Sequence, residues 1–197
     1  MTQQRRAEKE DQLLEAATHL FKEQGYHSTS MQELADAVGM QKGSLYYYIA
    51  GKEDLLRRLM ERVTSFMAAQ IDEIYASDLP PARKLHWALE NHAVIMMDHL
   101  DLVAVYLNEY RNLPPEHLAE ALTVRKHFEQ VLMQIVEDGI ASGEFRAVNV
   151  KMAVFGMLGM LNWTHQWFSP GGSFSSNEVA TTLADFALHG LTLRSDG

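Results

Sequence analysis

Cysteine is absent from the 197 residues. Without a thiol the chain can form no disulfide, no thiolate metal site and no cysteine nucleophile. Long apolar runs are missing as well. The longest, Ala153 to Leu161, is too short to cross a bilayer, and the opening MTQQRRAEKEDQLLEAA lacks the apolar run of a signal peptide. The expectation is a cytoplasmic protein with no membrane partner. The chain has no G-x-S-x-G elbow, no phosphate-binding glycine loop, no GxGxxG and no HExxH. These are the spacings from which catalysis or cofactor binding would be argued, so neither enzyme activity nor a cofactor is expected. Nine histidines remain. His92 and His99 fall on roughly one helix face, with Asp98 and Asp101 nearby, but no ligand set of known spacing accompanies them. Satisfied or solvated histidines are expected, and no metal.

Positive charge is also in short supply. The formal net charge is −9, from 17 Lys and Arg against 26 Asp and Glu, which argues against non-specific nucleic-acid binding by the whole chain. The distribution is uneven. Residues 1–60 hold 8 basic and 9 acidic residues, and residues 61–197 hold 9 and 17. A near-neutral N-terminal part can still bind DNA if Arg5, Arg6, Lys42 and Lys52 converge on one face.

What the chain does have is helical periodicity. Leu13, Leu14, Ala17, Leu20 and Phe21 make a stripe over about 7–24, stopped at Gly25. A long helix from Lys52 to about Tyr75 carries Leu55, Leu56, Leu59, Val63, Phe66, Met67, Ile71 and Ile74. Pro80-Pro81 and Pro114-Pro115 mark breaks. Between and after them the pattern predicts helices to about His99, from Asp101 to about Asn112, to about Ser142, from about Val148 to Phe168, and from a capping box at Ser175 and Glu178 to about Leu193. No strand is evident. The reading is all-α, with about nine helices.

The informative stretch is Ser30 to Leu55, SMQELADAVGMQKGSLYYYIAGKEDL. Ser30 and Glu33 have capping-box spacing, and Leu34, Ala35 and Val38 follow at helical intervals up to Gly39. A second short helix is expected over about Gln41 to Tyr48, with Leu45 as its core residue. Two short helices meeting at a glycine form a helix-turn-helix, and they need a support such as the first helix. Tyr46, Tyr47 and Tyr48 cannot all face one core, because successive helical residues are about 100° apart. At least one ring should be exposed beside Gln41, Lys42 and Ser44, whose donors suit base edges and phosphates. Lys52, at the next helix start, has a common phosphate-binding placement.

This stretch resembles the DNA-binding domain of TetR-family transcriptional regulators. The matching segments are Thr29-Ser30, Leu34-Ala35, Val38-Gly39-Met40, Leu45-Tyr46-Tyr47-Tyr48-Ile49 and Gly51-Lys52-Glu53-Asp54-Leu55. Ile49 stands where the family usually has Phe, an apolar exchange. Gly51 replaces a frequent Ser or Asn cap, which should loosen the next helix start. The resemblance implies a DNA-binding domain over 1–52 and an effector-binding and dimerisation domain over 53–197. It implies that Lys42, Gly43, Ser44, Tyr46 and Tyr47 approach bases, with Gln41 also in the DNA-binding set, and that Ser30, Tyr48 and Lys52 position phosphates. The partners implied are double-stranded DNA with a palindromic operator, a second copy of the chain and a small-molecule effector.

For dimerisation, the helix from about Val148 is apolar on more than one face, with Gly156, Gly159, Trp163 and Trp167 on one of them. For the effector, Phe66, Met67, Met97, Tyr106, Tyr110, Phe128, Trp163 and Trp167 read either as ordinary core or as a Met- and aromatic-rich lining. Asn108–Arg111 and the Asn162–Gly172 segment are similar to those of TetR-like regulators that sense acyl-CoA thioesters. A CoA phosphate would then meet Arg111, Arg125, Lys126 or Arg146, which otherwise read as surface ion-pairing residues. A regulator responding to another hydrophobic compound of the drug or efflux type, one gated by a protein partner, and a helical enzyme using the C-terminal pocket stand as alternatives.

Overall fold

The computed structural model describes residues 3–192. It is all-helical, with ten α-helices among the described residues: α1 Gln3–Gln24, α2 Met31–Ala37, α3 Lys42–Leu45, α4 Lys52–Ala76, α5 Pro81–Asp98, α6 Leu100–Glu109, α7 Pro115–Ala141, α8 Val150–Asn162, α9 Thr164–Trp167 and α10 Ser176–His189. A 3-10 turn, Tyr110–Asn112, follows α6. The helix expected from 148 to 168 is interrupted at Trp163, so α8 and the single turn of α9 stand for one expected helix. The last helix stops at His189, and Leu193 lies outside the described residues.

Two compact units emerge. One comprises residues up to Thr64 together with Asp101–Leu122, and the other Ser65–Leu100 together with the chain from Thr123. The divisions fall within α4, at the first residue of α6 and within α7.

In the first unit α1 buries Leu13, Ala17 and Phe21, and α2 packs on it through Leu34 and Ala35. Both ends of α2 are built as the spacing predicts. Ser30 Oγ accepts the Glu33 N–H at 3.2 Å, and Glu33 accepts the Ser30 N–H at 2.7 Å. At the other end Gly39 takes φ +64°, so the Met40 N–H reaches the Ala35 carbonyl and the Gly39 N–H the Asp36 carbonyl.

In the second unit α5 packs along α10 and also touches α8 and α9. The inner face of α10 is Val179, Ala180, Ala184 and Ala187, mostly small side chains that allow close packing on α5, which buries Leu85, Leu89 and Ala93. The exposed flank is bridged by His86 and Asp185 at 3.0 Å and by a short Thr181–Glu90 hydrogen bond. α7 buries Phe128, Val131, Leu132, Ile135 and Val136. Its Gly139 is enforced by packing, since a Cβ there would lie 2.1 Å from the Phe145 ring.

Candidate nucleic-acid interface and ligand cavity

The second helix of the helix-turn-helix is shorter than its sequence suggests. α3 has one helical turn, and residues 46–48 continue as a hydrogen-bonded turn in which the Tyr48 and Ile49 N–H groups both reach the Leu45 carbonyl. Leu45, Tyr48 and Ile49 are buried and hold the segment down. Gln41, Lys42, Gly43 and Ser44 are exposed. Tyr46 is 53% and Tyr47 68% exposed, against 4% for Tyr48. The three tyrosines therefore divide into two outward rings and one core ring. Nothing lies within 4 Å of a Cβ built on Gly43, so close approach by a large partner is open there. Arg6 is one of the four cations whose convergence on one face DNA binding would require. It lies within α1, pairs with Glu10 at 3.0 Å, and places its guanidinium 5.8 Å from the centre of the Tyr47 ring. No spacing rule could bring Arg6 beside Tyr47, because the two are on different elements.

Lys52 is placed differently from its expected phosphate role. Its Nζ donates to the carbonyls of Tyr26, His27 and Thr29 at 2.6, 3.1 and 2.8 Å, and lies 4.5 Å from the centre of the Tyr26 ring. An ammonium has three N–H donors. All three are taken up by the link between α1 and α2, so none is left over for a phosphate. The same link is held from its other side. Glu109 accepts the Tyr26 N–H at 3.1 Å and a bond from Asn112, and His27 Nε2 is 3.0 Å from Asn112 Oδ1. Tyr48 likewise packs in the core rather than facing outward.

The missing side-chain cap at Gly51 is compensated from inside α4. Asp54 accepts the Ala50 N–H at 3.1 Å and pairs with Arg57 and Arg58 at 2.6 and 3.0 Å, and Arg58 also donates to the Tyr48 carbonyl. Burial pushes the Asp54 carboxyl up, but hydrogen bonds from Arg58, Arg57 and the Ala50 N–H outweigh it and hold it below its ordinary value.

In the second unit a narrow void of about 10 Å³ is lined by Phe66, Met67, Gln70, Ile71 and Ile74 from α4, Ala88, Asn91, His92 and Ile95 from α5, and Phe128 from α7. The expected effector residues Phe66, Met67 and Phe128 meet here. The others go elsewhere. Met97 is core, and Trp163 and Trp167 are exposed on the α8–α9 side, Trp167 beside a surface groove with Phe174 and Leu183. Tyr106, Tyr110 and Arg111 belong to the first unit, where Arg111 Nε donates to the Tyr110 hydroxyl at 3.0 Å. Of the other cations, Arg125 pairs with Glu129 at 2.9 Å and Arg146 donates to the Gly190 carbonyl. Neither histidine is part of a metal-ligand set. His99 stacks on Phe66, while His92 meets Asn162, and no group of three or more His, Cys, Asp or Glu is arranged to hold a metal ion among the described residues.

A supported helix-turn-helix with an exposed, aromatic second helix defines a DNA-binding head, joined in one chain to a helical domain with a small apolar void. Known families agree. Residues 13–59 match the family described as bacterial regulatory proteins, tetR family, and residues 78–191 match the tetracyclin repressor-like C-terminal domain. The chain belongs to the TetR family of transcriptional regulators. It is 29% identical over 184 residues to the HTH-type transcriptional repressor KstR2 of Rhodococcus jostii, covering 91% of this chain and 89% of that one. The TetR family regulator PfmR of Thermus thermophilus superposes with a TM-score of 0.83 at 32% identity, over 91% of this chain and 98% of that one. AibR, solved in complex with isovaleryl coenzyme A and operator DNA, does so with a TM-score of 0.79 at 26% identity, over 90% and 96%.

Proposed function

We propose that this chain is a homodimeric repressor whose operator binding is released by an acyl-CoA thioester. The observation that carries the DNA-binding part is the display of Gln41, Lys42, Gly43, Ser44, Tyr46 and Tyr47 on one outward surface, beside Arg6. Such a segment suits the major groove, with hydroxyls and amides for base edges and cations for phosphates. Ser30 caps α2 through its oxygen and keeps its hydroxyl hydrogen for a phosphate. Lys52 and Tyr48 act from behind, fixing the link and the core on which α3 rests.

Dimerisation is supported by an unpartnered apolar face. Met152, Phe155 and Trp163 of the α8 segment and Phe186 of α10 are exposed, and Gly156 and Gly159 leave room for close approach. Isolated exposed apolar residues are ordinary, but a contiguous set on two helices marks an interface. A two-fold dimer would present its heads to a palindromic operator.

The thioester reading is supported by AibR's bound ligand and by the apolar void. At about 10 Å³, room for about one water, that void lies far below the usual range for ligand pockets, roughly 300–1,000 Å³. An occupant must therefore displace Phe66, Met67 or Phe128. A ligand that binds only an opened form favours that form, which is the differential affinity a gate requires. The small void equally favours a second reading, a compact hydrophobic effector without CoA. Fluorescence anisotropy on DNA from upstream of the gene, at two salt concentrations, tests both. Tight binding released by acyl-CoA supports the thioester. Binding that ignores it but yields to a small hydrophobe supports the second reading. Failure to bind any sequence in an unbiased DNA selection refutes the regulator.

A further inference from the structure

We propose that His92 Nδ1 is a specificity-determining hydrogen-bond acceptor in the α4–α5–α7 void, and that the acyl group it selects carries a hydroxyl. This rests on the reading of that void as the site of an acyl thioester. His92 is 3% exposed and is part of the void's wall, with its ring centroid 5.2 Å from that of Phe128. Its Nε2 lies 2.8 Å from Asn162 Oδ1. A carbonyl oxygen can only accept, so the proton is on Nε2. A neutral imidazole protonated there presents Nδ1 as a bare lone pair. Burial disfavours the imidazolium more than the Asn162 bond favours it, so the ring stays neutral.

Nδ1 is the buried side-chain polar atom that has no hydrogen-bond partner among the described residues. Buried acceptors are normally satisfied, and one without a protein partner calls for an explanation. The wall around the ring offers little else. Asn91 and Gln70 are bonded to each other, and Phe66, Met67, Ile71 and Phe128 are apolar. A saturated acyl chain that opens the void would leave the lone pair unpaired, whereas a hydroxylated chain would donate to it. Sites built to hydrogen-bond a hydroxyl discriminate strongly against analogues that lack it.

The test is calorimetry on the full-length protein with decanoyl-CoA and with decanoyl-CoA congeners hydroxylated next to the thioester, at the third carbon or at the chain end. At least one hydroxylated congener should bind about ten- to a hundredfold tighter than decanoyl-CoA. His92→Phe keeps a ring and removes the acceptor, so it should abolish that preference, read as the ratio of hydroxylated to plain decanoyl-CoA affinity within the variant. Equal binding of all congeners by the unaltered protein, or a preference that His92→Phe retains, would overturn the assignment and leave the thioester reading standing, with Nδ1 then held by a water. Failure of every congener to bind would remove the thioester and this proposal together. A second measurement does not depend on the variant's folding. The ¹⁵N spectrum of histidine-labelled protein should show His92 neutral and protonated at Nε2, and the hydroxylated congener should shift Nδ1 where decanoyl-CoA does not. A ring protonated at Nδ1 would sink the proposal.

Discussion

Replacing Lys52 by Met separates two roles that look alike in sequence. The substitution keeps most of the aliphatic stem and removes the ammonium. If Lys52 served a phosphate, stability would hardly change and the salt dependence of operator binding would flatten by about 0.9 per contact. The structure places three carbonyls on the ammonium instead. Hydrogen bonds to a charged group each contribute roughly 1.5–3 kcal/mol, but a carbonyl that regains water loses little. The His27 bond is exposed and counts for little. The Tyr26 and Thr29 bonds are partly buried, and the Tyr26 face adds up to about 1 kcal/mol. Because one side chain makes all of these contacts they do not add, and a total of about 2–3 kcal/mol is reasonable. At about 2–4 °C per kcal/mol for a chain of this size, the melting midpoint should fall by about 5–10 °C. Calorimetric melting and anisotropy titrations over a salt series, run where the variant is still folded, read both quantities. A lower midpoint with an unchanged salt slope supports the clamp. An unchanged midpoint with a flattened slope refutes it and restores the phosphate contact. Lys42→Ala, on the exposed face, is the control and should give that opposite pattern.

Gly139→Ala should destabilise by about 1–3 kcal/mol, because its Cβ would lie 2.1 Å from the Phe145 ring. Urea denaturation measures this, and pairing the change with Phe145→Leu should recover part of the loss. Phe186→Glu puts a charge at a residue 72% exposed in the single chain. Sedimentation should show monomer and anisotropy a large loss of operator affinity; an unchanged dimer would move the interface elsewhere. Asp54 is held below its ordinary value of 3.8 in the folded protein, so its contribution is fully present above about 3.8 and is lost as the pH falls through the lower folded value. Asp54→Asn should therefore destabilise the protein near neutrality and flatten the loss of stability below about pH 4. Parallel acid limbs for the two proteins would refute that assignment.

The sequence was most legible where one helix supplied its own evidence. Capping spacing placed Ser30 and Glu33, the position of Gly39 announced its left-handed turn, and the angular step of a helix required the tyrosines at 46–48 to part company. It was least legible where the partner sat on a distant element. Lys52 sits at a helix start, as phosphate-binding lysines do, and only the fold brings the Tyr26–Thr29 carbonyls to it from more than twenty residues away. Gly139 carried no local signal, since its reason is the Phe145 ring. The effector set scattered for a related cause: periodicity identifies buried residues, but burial alone does not distinguish the Phe66 and Phe128 wall from the Met97 core.

His92 is the sharpest case. As a letter in α5 it marks an inward face and nothing more. Its chemistry comes from Asn162, seventy residues on, whose oxygen decides which ring nitrogen holds the proton. The pair together turns a generic apolar void into one with a directed acceptor. That bears on gating as well as on selection. A hydroxyl donated to Nδ1 ties the ligand to the α5 ring, and the Nε2 proton ties the same ring to the end of α8. α8 carries Phe155, Gly156 and Gly159 of the proposed dimer face. An occupant that moves His92 must either carry Asn162 with it or break a 2.8 Å bond, so Asn162→Leu should weaken the ligand's effect on operator release more than it weakens ligand binding itself.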